Sequence, residues 1–159
     1  MSRYTLIESK PHGPAGISCR YFLVPPEQAG RRTILVVAFE GEYPEGSRGN
    51  GHGAYIASEA LHGVCAFDAD CLLLDFRALE YRWGNSLLRV FQDVSQFKDG
   101  ELEPGEPAFP VVVITSEKCK HAFLSLITPT GQSAPEWHFE EIDPAIEYAQ
   151  RKIEEWFSF

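Results

Sequence analysis

Three short, nearly unbroken apolar runs punctuate the chain: Thr33–Phe39 (TILVVAF), Cys71–Phe76 (CLLLDF) and Pro110–Thr115 (PVVVIT). Each has the length of a strand and is bounded by polar or turn residues, so each predicts a β-strand buried on both faces. Elsewhere the apolar positions switch to helical spacing. Ile56, Ala60, Leu61 and Val64 share one side of Ala54–Phe67. Leu87, Val90, Phe91 and Val94 form a stripe along Ser86–Phe97, with Asn85 available as its N-cap. Cys119, Ala122, Phe123, Leu126 and Ile127 do the same over Ser116–Ile127. The best-specified helix is Asp143–Phe157. Asp143 stands at its cap and Pro144 in the first helical position, while Ile146, Ala149, Ile153, Trp156 and Phe157 make its inward face.

Two β-branched and aromatic stretches, Tyr4–Glu8 and Ser18–Val24, precede these elements. Pro11, Gly13, Pro14 and Gly16 separate them, and they read as two short strands around a loop. The predicted order is therefore β-β-β-α-β-α-β-α-α. Strands that alternate with helices require right-handed crossovers. The expected architecture is an α/β fold: a single small mixed sheet with parallel central strands and an antiparallel N-terminal edge. No internal repeat or linker divides the sequence, so residues 1–159 read as a single domain. Glu40–Gly53 (EGEYPEGSRGNGHG) and Gly100–Pro110 read as loops. The first is longer than a minimal strand-to-helix connection, which marks it as a candidate functional segment.

Of the 159 residues, 44% are hydrophobic and 13% aromatic, enough to fill a core without disulfides or bound metal. The formal net charge of −9 changes the picture more. Phosphate backbones and anionic membrane surfaces are repelled, whereas a basic protein partner is attracted. No apolar run approaches the roughly 18 residues that a membrane span needs, and Met1–Leu6 lacks the apolar core of a secretory signal. Cys19, Cys65, Cys71 and Cys119 are scattered in or beside apolar runs, a pattern of buried thiols rather than a disulfide framework. The expectation is a cytoplasmic protein with neither nucleic-acid nor membrane partners.

Candidate chemistry is sparse. The glycines of Gly46–Gly53 fit neither dinucleotide nor P-loop spacing, and no Lys is there to reach a phosphate. A flexible loop is the simpler reading, with Arg48 and His52 available to a small anion. His12, His52, His62, His121 and His138 show no recognised metal spacing; Cys119 and His121, two apart, would face different sides of a helix. No metal or cofactor is predicted. Asp75 ends the second buried strand, where active sites of open α/β sheets form, although pairing with Arg77 or with backbone amides accounts for it as well.

The segment Leu79–Ser86 (LEYRWGNS) is more informative. Tyr, Arg and Trp are the residue types that dominate binding hot spots, and Tyr81, Arg82 and Trp83 fall together in one predicted strand-to-helix loop. With Asn85, and with Tyr43, Glu45, Arg48 and His52 from the glycine-rich loop, they compose a candidate partner-binding site.

The string Leu74-Asp75-Phe76-Arg77-Ala78-Leu79-Glu80-Tyr81 resembles the strand and turn of a STAS domain, the module of anti-sigma-factor antagonists and sulphate-transporter tails. Val111–Ile127 is similar to that family's last strand and helix, so the likeness in element order runs from Thr33 to Ile127. It implies a regulatory, protein-binding role. The family's phosphoacceptor motif is absent: Trp83 and Gly84, followed by Asn85 and Ser86, stand where its Asp and Ser would be. The same string also resembles a crotonase or Clp-type protease core, which would make Gly84 an oxyanion-hole donor. The expected function is thus a non-catalytic acidic protein-binding domain, either a regulator of the antagonist kind or an immunity-type inhibitor of a basic protein. The alternative is a small hydrolase or anion-binding enzyme.

Overall fold

A computed structural model describes residues 3–159. Its elements are β1 (Ile17–Leu23), β2 (Ile34–Tyr43), a 3-10 turn (Gly46–Gly49), α1 (Asn50–Ala66), β3 (Cys71–Tyr81) and a second 3-10 turn (Asn85–Leu88). There follow α2 (Arg89–Lys98), β4 (Val111–Ile114), α3 (Lys120–Ile127), β5 (His138–Phe139) and α4 (Ile142–Ser158). The strands form one mixed sheet in the spatial order β1-β2-β3-β4-β5. β1 runs antiparallel to β2 and every other neighbour pair is parallel. The α/β class, the parallel centre and the antiparallel edge are those the sequence predicts.

The element order differs from the expectation at both ends. Tyr4–Glu8 forms no strand, and Leu6 and Ile7 are exposed; strand propensity without a ladder partner does not make a strand. A two-residue strand, His138–Phe139, pairs instead with Val113 and Ile114 before the last helix. The order is therefore β-β-α-β-α-β-α-β-α.

Strand alternation divides the core into two layers. Leu35, Val37, Phe39, Leu72, Leu74 and Val113 point to one face, where residues of α1, α2 and α3 cover them. Ile34, Val36, Cys71, Leu73, Val112 and Ile114 point to the other, where α4 packs through Ala145, Tyr148, Ala149 and Ile153. Both faces of each central strand are buried, so its sequence is apolar without alternation. Trp156 is only partly buried, edge-on to Phe109, and Phe157 is exposed beneath the Arg32 guanidinium. The last helix is thus anchored one turn and more upstream of the aromatic pair that its spacing suggested.

Three boundaries move in a way that bears on function. β2 continues through Glu40–Tyr43 and β3 through Arg77–Tyr81, well beyond their apolar cores. Most of the predicted glycine-rich loop is therefore strand, 3-10 turn and the first turn of α1. The β2–β3 ladder also slips: Ala38 faces Asp75, but Glu40 faces Ala78, so β3 carries one extra residue. That bulge reverses the parity of β3 beyond it. Leu79 and Tyr81, odd-numbered, then turn to the α1–α2 face on which the even-numbered Leu72 and Leu74 lie.

Candidate functional site

β2 and β3 end side by side, with Tyr43 opposite Tyr81 in the ladder. Both rings are buried and meet edge-to-face at 5.1 Å. The Tyr81 hydroxyl donates to the Gly84 carbonyl at 2.6 Å, and Tyr43 is hydrogen-bonded to Ser86 Oγ. Ser86 in turn donates to the Gly49 carbonyl at 3.2 Å. Burial holds the Tyr43 hydroxyl above its ordinary pKa and pushes Tyr81 up to about 12, so both stay neutral donors. These two tyrosines belong to the core. The sequence expectation of an exposed Tyr81 ring in a loop is corrected by the bulge, and that of Tyr43 by the continuation of β2.

What remains outside is a short platform. After Tyr81 the chain runs through Arg82, Trp83 and Gly84 before the second 3-10 turn. Trp83 is 57% exposed, and its Nε1–H donates to Glu45 Oε2 at 3.0 Å. The ring lies against Gly46, where an added Cβ would come within 2.5 Å of it. Gly46, at φ +60°, and Gly84, at φ +139°, adopt backbone that glycine alone takes readily. Arg82 reaches the same Glu45 at 3.7 Å. Glu45 thus ties the β2 turn to the β3 turn and fixes the indole in place.

Beside this platform a cleft of about 430 Å³ is lined by Glu42, Glu45 and Glu80 together with Arg48 and Arg82. Asn85 is exposed as the first residue of its 3-10 turn, with Gly84 in the capping position and Leu88 capping α2, so the helical stripe begins with a tighter turn in place of the predicted Asn85 N-cap. His52 leaves the group: it is buried on α1, with Nε2 at 3.0 Å from the Ala15 carbonyl. The structure therefore brings Arg82, Trp83, Glu45 and Arg48 to one rim, puts Tyr43 and Tyr81 beneath it, leaves Asn85 exposed in the turn that follows, and buries His52. Two supports escaped sequence reasoning, Gly46 and Ser86. The glycine signal was visible, but its partner was not.

Among the described residues the candidates for chemistry do not converge on one another. Asp75 receives the Arg77 backbone N–H, Nε and Nη2 at 3.1, 2.9 and 2.8 Å, so it is spent on a bidentate pair. That pair lines a pocket with Cys19 and Ala78, Arg48 lines the cleft beside Trp83, and His52 is buried against the Tyr43 ring and the Ala15 carbonyl. Cys119 donates to the Phe76 carbonyl at 3.2 Å, and burial raises its thiol above the ordinary range, as it does for Cys71. Among the described residues no three His, Cys, Asp or Glu side chains cluster as metal ligands do, and no helix is long and apolar enough to cross a membrane. No family model matches the chain, and no curated protein or solved structure is significantly similar to it.

Proposed function

We propose that this chain is a non-catalytic, acidic protein-binding domain that engages a basic partner through the ends of β2 and β3. A regulator of the STAS antagonist kind and an immunity-type inhibitor are the two forms of that reading. The observation that carries it is Trp83: a large aromatic side chain, mostly exposed, yet already held by Glu45 and Gly46. An anchor that loses little conformational freedom on binding keeps more of its interaction energy as affinity. Glu45 bonds it, and Glu42 and Glu80 line the cleft beside it, so that these acids steer a cationic surface toward it.

The test replaces Glu80, on the rim, with a photo-crosslinking amino acid and identifies the cross-linked protein from the native host by mass spectrometry. The recovered partner is then titrated against wild type and Trp83→Ala. A basic partner whose affinity falls about 30-fold or more, the loss of a hot-spot aromatic, and whose association slows as salt rises supports the proposal. Equal affinity of wild type and Trp83→Ala removes Trp83 as the anchor, and turnover of a small substrate abolished by Asp75→Asn or Ser86→Ala replaces the whole reading with an enzymatic one.

A further inference from the structure

Three helices cover one face of the sheet, and α4 alone covers the other. α4 lies over β3, β4 and β5, which leaves a strip of β1 and β2 open on that face. On the strip Phe22 stands opposite Val36 and Arg20 opposite Ala38, and Phe22 is 47% exposed. Between the strip and the first turns of α4 runs a second cleft, also of about 430 Å³. Phe22, Val24, Val36, Ile142 and Ile146 give it apolar walls. Arg20, Ala38, Asp75 and Arg77 form the end that it shares with a smaller neighbouring pocket.

That polar end has a defined geometry. Arg20, Ala38 and Asp75 are direct neighbours across β1, β2 and β3. A methyl group therefore floors the gap between Arg20 and Asp75, which stand two strand spacings, roughly 10 Å, apart. Asp75 takes the Arg77 guanidinium side-on, through Nε at 2.9 Å and Nη2 at 2.8 Å. Both N–H groups of Nη1 and one of Nη2 are left over, on a side chain that is 41% exposed. An arginine fixed in this way by one carboxylate offers its end-on fork to a second oxyanion. Among the described residues the Arg20 guanidinium rests over the Phe22 ring at 5.5 Å and pairs with no carboxylate. Two guanidinium groups and one carboxylate line the cleft, so one negative charge complements it. Glu40 in the smaller pocket and Glu141 near Arg77 disfavour a second.

We infer that this cleft binds a small amphiphilic monocarboxylate of the medium-chain fatty-acid type. The carboxylate lies over Ala38, between Arg20 and the free fork of Arg77, and the chain runs along Phe22, Val36, Ile142 and Ile146. The volume is near the lower end of ligand pockets, about 300–1,000 Å³, which suits a single short chain. Each methylene laid on the apolar walls adds affinity until the cleft is filled. The cleft shares no lining residue with the one beside Trp83, so the protein-binding proposal and this one fail independently.

The experiment is calorimetric titration of the full chain with hexanoate, octanoate and decanoate below their micelle concentrations, and with octan-1-ol as the uncharged control. The expected result is one-site binding of decanoate with a Kd of about 1 mM or below, the range for a ligand of this size. Affinity should rise about twofold or more for each added methylene. Octan-1-ol should bind at least about tenfold more weakly than octanoate, as should octanoate to Arg20→Gln, because each loses a charge-assisted contact. Ala38→Phe fills the carboxylate position and should abolish binding, and Arg20→Gln, at an exposed site, tests the same position with the circular-dichroism spectrum unchanged. Absence of saturable decanoate binding overturns the inference. So does octanoate binding that Arg20→Gln leaves at wild-type strength, or octan-1-ol binding as tightly as octanoate.

Discussion

The two strand-to-helix turns that close β2 and β3 are built alike and used differently. Each begins at a buried tyrosine, breaks at a glycine with positive φ, tightens into a 3-10 turn and then opens into a helix. In the β2 turn the residues between tyrosine and glycine are Pro44 and Glu45; in the β3 turn they are Arg82 and Trp83. The first pair is half-buried and the second exposed. The tyrosines, glycines and Ser86 are shared scaffold, whereas the two intervening residues differ in chemistry and are exposed rather than half-buried only on the β3 side. Rigid backbone under a variable, exposed pair is how loops come to carry binding on a fixed frame.

The comparison breaks most severely if the scaffold is cut. Tyr81→Ala removes a fully buried ring and its bond to Gly84, and should cost about 3 kcal/mol or more in chemical denaturation. A midpoint close to wild type would mean that the β3 turn is not pinned as the β2 turn is. Gly46→Ala comes next, at about 1–2 kcal/mol for a non-glycine residue in left-handed backbone. Its Cβ also displaces the indole, so the tryptophan fluorescence should shift; an unaltered spectrum would separate Gly46 from Trp83. Ser86→Ala leaves the Tyr43 hydroxyl short of one partner in a buried site, a loss of about 1 kcal/mol. If its effect matches that of Tyr81→Ala, the two turns are one cooperative network rather than two similar ones. The smallest effect belongs to Trp83→Ala. A mostly exposed ring should change stability by less than about 0.5 kcal/mol, and a large loss would return Trp83 to the core and leave the rim without an anchor.

The sequence by itself determined the strands at Thr33–Phe39, Cys71–Phe76 and Pro110–Thr115, the helices between them and hence the parallel centre. Those runs are long, periodic and buried on both faces, and local pattern suffices where every position obeys one rule. It also placed Arg82 and Trp83 next to each other at a strand end. Three matters were decided only in the tertiary structure. The bulge opposite Ala38–Glu40 set which residues of β3 face the helices; parity counted from Cys71 puts Tyr81 on the wrong side, because one inserted residue inverts everything after it. The glycine-rich stretch folded into strand and 3-10 turn, since ladder partners on β3 and the ring of Tyr43 were available to it. The third is strand pairing at the margins. Tyr4–Glu8 has strand chemistry and no ladder, while His138–Phe139 has two residues and gains one, because a strand exists only where a neighbour's unpaired backbone is within reach.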